Sequence, residues 1–153
     1  MSVSTTITGI QTVNAAITGM GSAPTAMPAS LTTAVLPLAI TIPGPAEWQN
    51  NSDGWGFQFR TYMVRVYVKP IAQDIPADGG FQDAVTLIQR FGDAYMADTT
   101  MGGVINTVRL DDGFGPAITD GGVRGDMTWG SDPNQTNYWG FEFQIVSKEE
   151  ETW

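Results

Sequence analysis

Along residues 5–20, Ile7, Ile10, Val13, Ile17 and Met20 recur every three or four positions, while Thr8, Gln11, Thr12 and Ala15 fall on the opposite side. That spacing predicts a short amphipathic helix with an apolar stripe. Ser4 is placed to cap its start, and Gly19 and Gly21 to end it. Its β-branched Thr and Ile residues make it a poor isolated helix, so it needs a surface to pack on. Residues 21–30 (GSAPTAMPAS) have the composition of a linker. Residues 31–42 then read as an extended strap. Pro37 removes a ladder donor and points to an edge or interrupted strand, which Pro43 and Pro45 are expected to end. Residues 47–56 are polar, carry Trp48 and Trp55, and read as a loop.

The strongest alternation lies in residues 57–69 (FQFRTYMVRVYVK). Tyr62, Val64, Val66 and Val68 point one way, and Phe59, Thr61, Met63, Arg65 and Tyr67 the other. The first face is core. The second is half-polar and aromatic, which calls for a further layer or a subunit over part of it. A strand this long can form a ribbon projecting beyond its domain. Residues 81–98 show the clearest helical period, with Phe81, Ala84, Val85, Ile88, Phe91 and Tyr95 on one stripe. Asp78 and Asp83 near its start suit the helix dipole. Residues 104–110, 123–129 and 138–146 read as strands, and the glycine- and proline-rich residues 111–122 as loop. The order α-β-β-α-β-β-β predicts an α+β fold: a mixed or antiparallel sheet flanked by two helices, with a long strand or hairpin and an extended N-terminal strap. One domain accounts for the length, divided into an uncharged helix and strap over residues 1–46, an α+β core over 47–147 and an acidic tail over 148–153.

Charge sharpens this picture. Glu47 is the first charged side chain, so all 16 acids and 7 bases lie beyond residue 46. Disordered segments of low hydrophobicity usually carry charge. A stretch that is apolar, periodic and uncharged reads better as buried against its own sheet or a neighbour. The formal net charge of −9 leaves no cluster of bases to displace counterions from DNA. No stretch of the sequence suits a membrane-spanning helix or a secretory leader.

The absence of His and Cys removes the commonest general base, thiol nucleophiles, disulfides and thiolate or imidazole metal sites. Asp111, Asp112, Asp120 and Asp126 supply oxygen ligands in a glycine-rich region, but DDGFGP lacks the spacing of a calcium loop, and Asp and Gly also build ordinary turns. No pair among the 16 acids is singled out for acid–base chemistry. Met101-Gly102-Gly103 follows a helix and precedes a strand, the reverse of a phosphate loop, and suits a left-handed helix end. No enzyme activity, cofactor or metal is therefore expected. Trp48 and Trp55, beside Asn50, Asn51 and Asp53, suit either a sugar-stacking platform or a subunit contact. The run KEEETW reads as a solvated tail whose Trp153 could dock on a neighbour. Candidates for a subunit interface are Ile7, Ile10, Ile17, Phe59, Met63, Tyr67, Trp48, Trp55 and Trp153.

Three stretches carry a family resemblance: the apolar N-terminal helix with LPLAITIPGPAEW; FQFRTYMVRVYVK leading to FQDAVTLIQRFGDAYMAD and TTMGGVINTVRL; and the closing YWGFEFQIVSKEEE. In this order they resemble the tail terminator and minor tail proteins of tailed bacteriophages, which close the tail tube at the neck. The resemblance implies an α+β domain that forms a hexameric ring, stops tail-tube polymerisation and presents a surface to head-completion proteins. Its implied partners are further copies of itself, the tail tube protein and a head–tail connector or other neck protein. DNA would pass through without specific binding, and the protein would assemble in the host bacterial cytoplasm and reside in the virion. No catalytic residue carries over. The alternatives are another neck component, such as a head–tail connector or tail-completion protein, and a carbohydrate-binding module using Trp48 and Trp55.

Overall fold

A computed structural model describes residues 3–31, 34–71, 79–98, 100–101, 107–108, 118–130 and 136–152. Helix α1 (Val3–Ala15) is followed by a strap and then by strands β1 (Leu38–Ser52) and β2 (Trp55–Pro70). Helix α2 (Gly80–Ala97) comes next, then β3 (Thr107–Val108), β4 (Ile118–Asp120), β5 (Arg124–Met127) and β6 (Tyr138–Thr152). Every pairing between these strands is antiparallel, and a single parallel bridge joins Ser22 to Leu38 at the edge of β1. β1 pairs β2, β2 pairs β6, and β3, β4 and β5 each pair β6 in turn. The last three therefore act as one broken strand along the far side of β6. The α+β class expected from the element order holds, with β4 as an addition inside the stretch read as loop.

The hairpin is longer than its sequence suggested. β1 does not end at Pro43 and Pro45 but runs on to Ser52, with a register shift between Pro43 and Ala46. β1 is an edge strand, where a missing N–H costs no ladder bond. Residues 47–56 are accordingly paired strand and turn rather than loop. Ser52 opposes Trp55, so Asp53 and Gly54 alone make the connection, and Gly54 supplies the left-handed φ of 91° that the turn needs. β6 also continues beyond Val146: residues 148–152, read as a solvated tail, pair with β2 as far as Thr152 opposite Trp55. Three strands of 15 or 16 residues make a ribbon about 50 Å long.

Both helices cover one face of this sheet. Their core contains Ile10 and Ile17 from the N-terminal segment, Ala84, Leu87, Phe91 and Tyr95 from α2, and Tyr62, Val64, Val66, Val68, Phe141, Phe143 and Ile145 from the strands. The face of β2 assigned to the core from its alternation is the buried one. Phe91 meets Phe141 at 5.3 Å and Tyr95 at 5.9 Å in edge-to-face contacts, and Tyr95 meets Phe143 at 5.4 Å. In α2 the buried stripe uses Leu87, while Phe81 and Val85 are left exposed. The opposite sheet face carries a smaller core of Leu31, Leu38, Ile40, Tyr67, Met127, Trp129 and Tyr138, which the strap residues Ala34 and Leu36 help to close. Tyr67 faces this outer core and Val68 the helices, by the ordinary alternation of a strand. Gly140 is required beside the β2 backbone: a Cβ there would lie 2.1 Å from the Val66 carbonyl oxygen.

α1 ends at Ala15 rather than near Met20, and its buried side differs from the expected stripe. Thr6, Gly9, Ile10, Gln11 and Asn14 are buried, whereas Ile7 and Val13 are only partly so. Gln11, placed by its sequence on the solvent side, faces inward because its amide has four partners there. Its nitrogen donates to the Pro24 and Ala39 carbonyls, and its oxygen accepts from Thr41 and Asn14. The exposed Thr8 and Thr12 hydroxyls donate to carbonyls four residues earlier, Ser4 and Thr8.

Candidate functional site

The half of the ribbon beyond Pro43 concentrates the exposed aromatic surface. Trp55, Phe57 and Phe59 alternate along β2 and stand on its outer face, with ring centres 5.7 Å and 6.3 Å apart. Lys148, opposite Phe59 on β6, lays its Nζ 4.2 Å from the Phe57 ring centre, a cation–π contact. Glu47 opposes Phe59 from the other side, and Glu150 opposes Phe57. Phe57 and Phe59 are half-buried and Trp55 is 40% exposed. Met63 continues the same face toward the strap and is also half-buried.

Trp48 is on the other side. It opposes Gln58, and Gln58 alternates with Phe57 along β2, so the Trp48 indole shares the helix-side face of the ribbon. Trp48 and Trp55 therefore do not form one stacking platform, although the turn brings them close in sequence. The two-tryptophan sugar site considered from the sequence lacks this geometric basis. Trp48 is 59% exposed.

Beneath Trp48 the helix-side face is polar and closed. Glu149 is fully buried, and its Oε1 accepts hydrogen bonds from the hydroxyls of Thr6, Tyr62 and Ser147, the latter two at 3.0 Å and 3.3 Å. Among the described residues its Oε2 has no hydrogen-bond partner. Burial pushes the Tyr62 phenol well above its usual range, and the adjacent Glu149 charge pushes it further. Nearby, Gln58 donates to Glu151 at 3.1 Å, and Arg60 donates to the Gln58 side-chain oxygen and to the Gly44 carbonyl. The network fixes α1 and the bulged edge of β1 to the ribbon. Glu149 was hidden within a run of acids. The signal that reveals it is the period of β6, because Phe143, Ile145, Ser147 and Glu149 fall on one face.

The other candidates separate. Ile10 and Ile17 lie in the helix-side core and Tyr67 in the outer core, whereas Ile7 is partly buried at the edge of α1. Trp153, Asp78, Asp111, Asp112, Gly102 and Gly103 lie outside the described residues, as does most of the strand expected over 104–110. The left-handed residue after α2 is Met101, with φ 51°. Asp120 accepts from the Gly122 amide at 2.9 Å, and Asp126 pairs with Arg124 at 3.0 Å. Each thus has a local partner, and among the described residues no three carboxylates gather to hold a metal ion.

A groove of about 440 Å³ opens on the outer face at the opposite end of the ribbon. The strap residues Met27, Pro28 and Ala29 form one wall, Ile40, Ile42 and Tyr67 the floor, and Trp129 the end. Arg65 lines it too, with its Nε on Glu142 at 2.8 Å. The Tyr67 hydroxyl is tied to the Thr128 carbonyl and its ring meets Trp129 edge-on at 5.4 Å. No family model matches the chain, and no curated protein matches it.

Proposed function

We propose that this chain is a structural assembly protein, a ring-forming subunit of the tail-terminator kind that its sequence resembles. In this reading copies of the chain close a ring at the neck of a tailed phage, stop tail-tube growth and meet a head–tail connector. The observation that carries it is the ribbon end, where Trp48, Trp55, Phe57 and Phe59 remain at the surface of a stiff three-stranded element. Monomeric proteins seldom leave such aromatic surface uncovered unless it meets another molecule. The acidic balance fits a ring that lets DNA pass without holding it.

Light scattering coupled to size exclusion, over a wide range of protein concentration, tests the assembly. A multimer of fixed stoichiometry is expected, and labelling with antibodies to the chain should mark the neck of virions seen by electron microscopy. A protein that stays monomeric at high concentration and is absent from virions would end this reading.

A further inference from the structure

We propose that the outer half of the β1 edge pairs with the same edge of a second copy of this chain, antiparallel and centred on Trp48, a contact independent of the proposed ring. The direction of the β1 backbone groups carries it. Asp53 and Gly54 make a two-residue turn, so Ser52 and Trp55 are the hydrogen-bonded pair that closes it. Alternation along β2 then turns the N–H and C=O of Asn50, Trp48 and Ala46, opposite Gly56, Gln58 and Arg60, away from β2. The other end of the strand agrees. Tyr62, Val64 and Val66 continue the alternation, and Ala39, opposite Val66, sends its amide outward to the Ser22 carbonyl at 3.0 Å.

The two halves of this edge differ. Over residues 38–45 it is closed. Ser22 bridges Leu38, Pro43 and Pro45 lack donors, and the Gly44 carbonyl in the bulge is taken by Arg60. Over residues 46–52 no strap or proline covers it, and residues 47–52 are all exposed. Among the described residues, the outward groups of Ala46, Trp48 and Asn50 have no backbone partner.

Register and side chains select a second copy as the occupant. Centred on Trp48, antiparallel pairing sets Ala46 opposite Asn50 and Trp48 opposite Trp48, each pair exchanging both its bonds. Centring on Glu47 would set that acid against itself and leave Asn50 unpaired, and centring on Gln49 would leave Ala46 unpaired. In the Trp48 register Glu47 lies opposite Gln49 of the second copy, acid against amide. The two indoles meet across the twofold axis on the helix-side face, where the fold leaves Trp48 59% exposed. The antiparallel sense also keeps the bodies apart. The turn of the second copy ends beside Pro43, short of the Ser22 bridge at Leu38, whereas parallel pairing would set the two straps side by side. Glu150 and Glu151 on β6 stand two strands back, roughly 10 Å from the edge, where salt screens them. The contact is isologous, so it closes on the pair.

Proline at an outward position is the selective probe, because it removes a donor that the pair needs and β2 does not. Asn50→Pro should weaken dimerisation about tenfold or more in sedimentation over a concentration series, with circular dichroism unchanged. Gln49→Lys leaves the backbone intact and sets a base opposite each Glu47, so it should tighten the pair about fivefold. The chain has no Cys, so introduced thiols report the register. Glu47→Cys and Gln49→Cys copies face each other with Cα atoms about 4.5 Å apart, within disulfide reach, whereas like copies sit roughly 7–8 Å apart. Mixed in equal amounts and oxidised, they should give the mixed disulfide well above its chance share. A dimer that Gln49→Lys does not tighten, or whose mixed disulfide stays at chance, would overturn the pairing. So would a chain that stays monomeric at high concentration. Labelling of virion necks tests the ring reading separately.

Discussion

Beneath α2 the contacts are rings: Phe91 and Tyr95 packed on Phe141 and Phe143, with Leu87 and Ala84 completing the patch. Beneath α1, on the same sheet face, they are amides and hydroxyls as much as methyls. Gln11 has four hydrogen bonds, Asn14 accepts from the Tyr95 hydroxyl, and Thr6 reaches Glu149. Apolar burial is non-directional and tolerates some sliding, whereas a buried amide is stable only where every partner is in place. α2 is thus held by area and α1 by register. The strap belongs with α1, since the Pro24 and Ala39 carbonyls that Gln11 joins lie on the strap and on β1.

Phe91→Ala should have the largest effect. The ring is fully buried among three aromatic neighbours, and truncating such a side chain typically costs about 3–5 kcal/mol. Urea titration should show that loss with little change in slope. A loss near 1 kcal/mol or less would mean that the helix can settle into the space, and that the packing under α2 is looser than the ring contacts indicate.

The same difference explains what could be read from the residues. The α2 period and the β2 alternation both come from apolar side chains, and both were legible because apolar side chains sort by face. Periodicity treats every amide as polar and so places Gln11 in solvent, and no local feature announces the carbonyls of Pro24 and Ala39 that satisfy it. Pro43 and Pro45 look locally like terminators, because the edge position of β1 is a property of the sheet. Asp53-Gly54 was a legible turn signal that the two flanking tryptophans obscured. The opposite orientations of Trp48 and Trp55 follow only once that turn and its register are known.

Gln11→Ala comes next in size. It leaves the Ala39 carbonyl and the Asn14 amide short of partners in a mostly closed seam, where an unsatisfied buried group costs about 1–3 kcal/mol. Part of that is recovered by water at the edge of α1, so a net loss of about 2 kcal/mol is expected. Gln11→Met separates hydrogen bonding from volume, since it keeps the length of the side chain and removes its polar atoms. It should be no better than Gln11→Ala. A near-neutral Gln11→Met would collapse the distinction between the helices, because α1 would then be held by area as well.

Alkaline pH gives the most selective test, acting on the two phenols whose hydroxyls reach the α1 seam. Burial holds Tyr95 well above the ordinary value of 10.0, and burial with the Glu149 charge does the same for Tyr62. The folded chain keeps protons that the unfolded chain releases above about pH 10, so stability is fully present below that pH and falls as pH rises beyond it. Each tyrosine adds a slope of about 1.4 kcal/mol per pH unit in that range. Tyr95 donates to Asn14, and Tyr62 shares Glu149 with Thr6, so ionisation strikes the α1 seam directly. Tyr95→Phe should be less stable at neutral pH, with Asn14 short of a donor, but should lose stability less steeply between about pH 10 and 11.5. Hydrogen exchange in that range should rise in α1 before α2. Equal rates in the two helices, with an unchanged slope for Tyr95→Phe, would show that the seam under α1 is not where the fold yields.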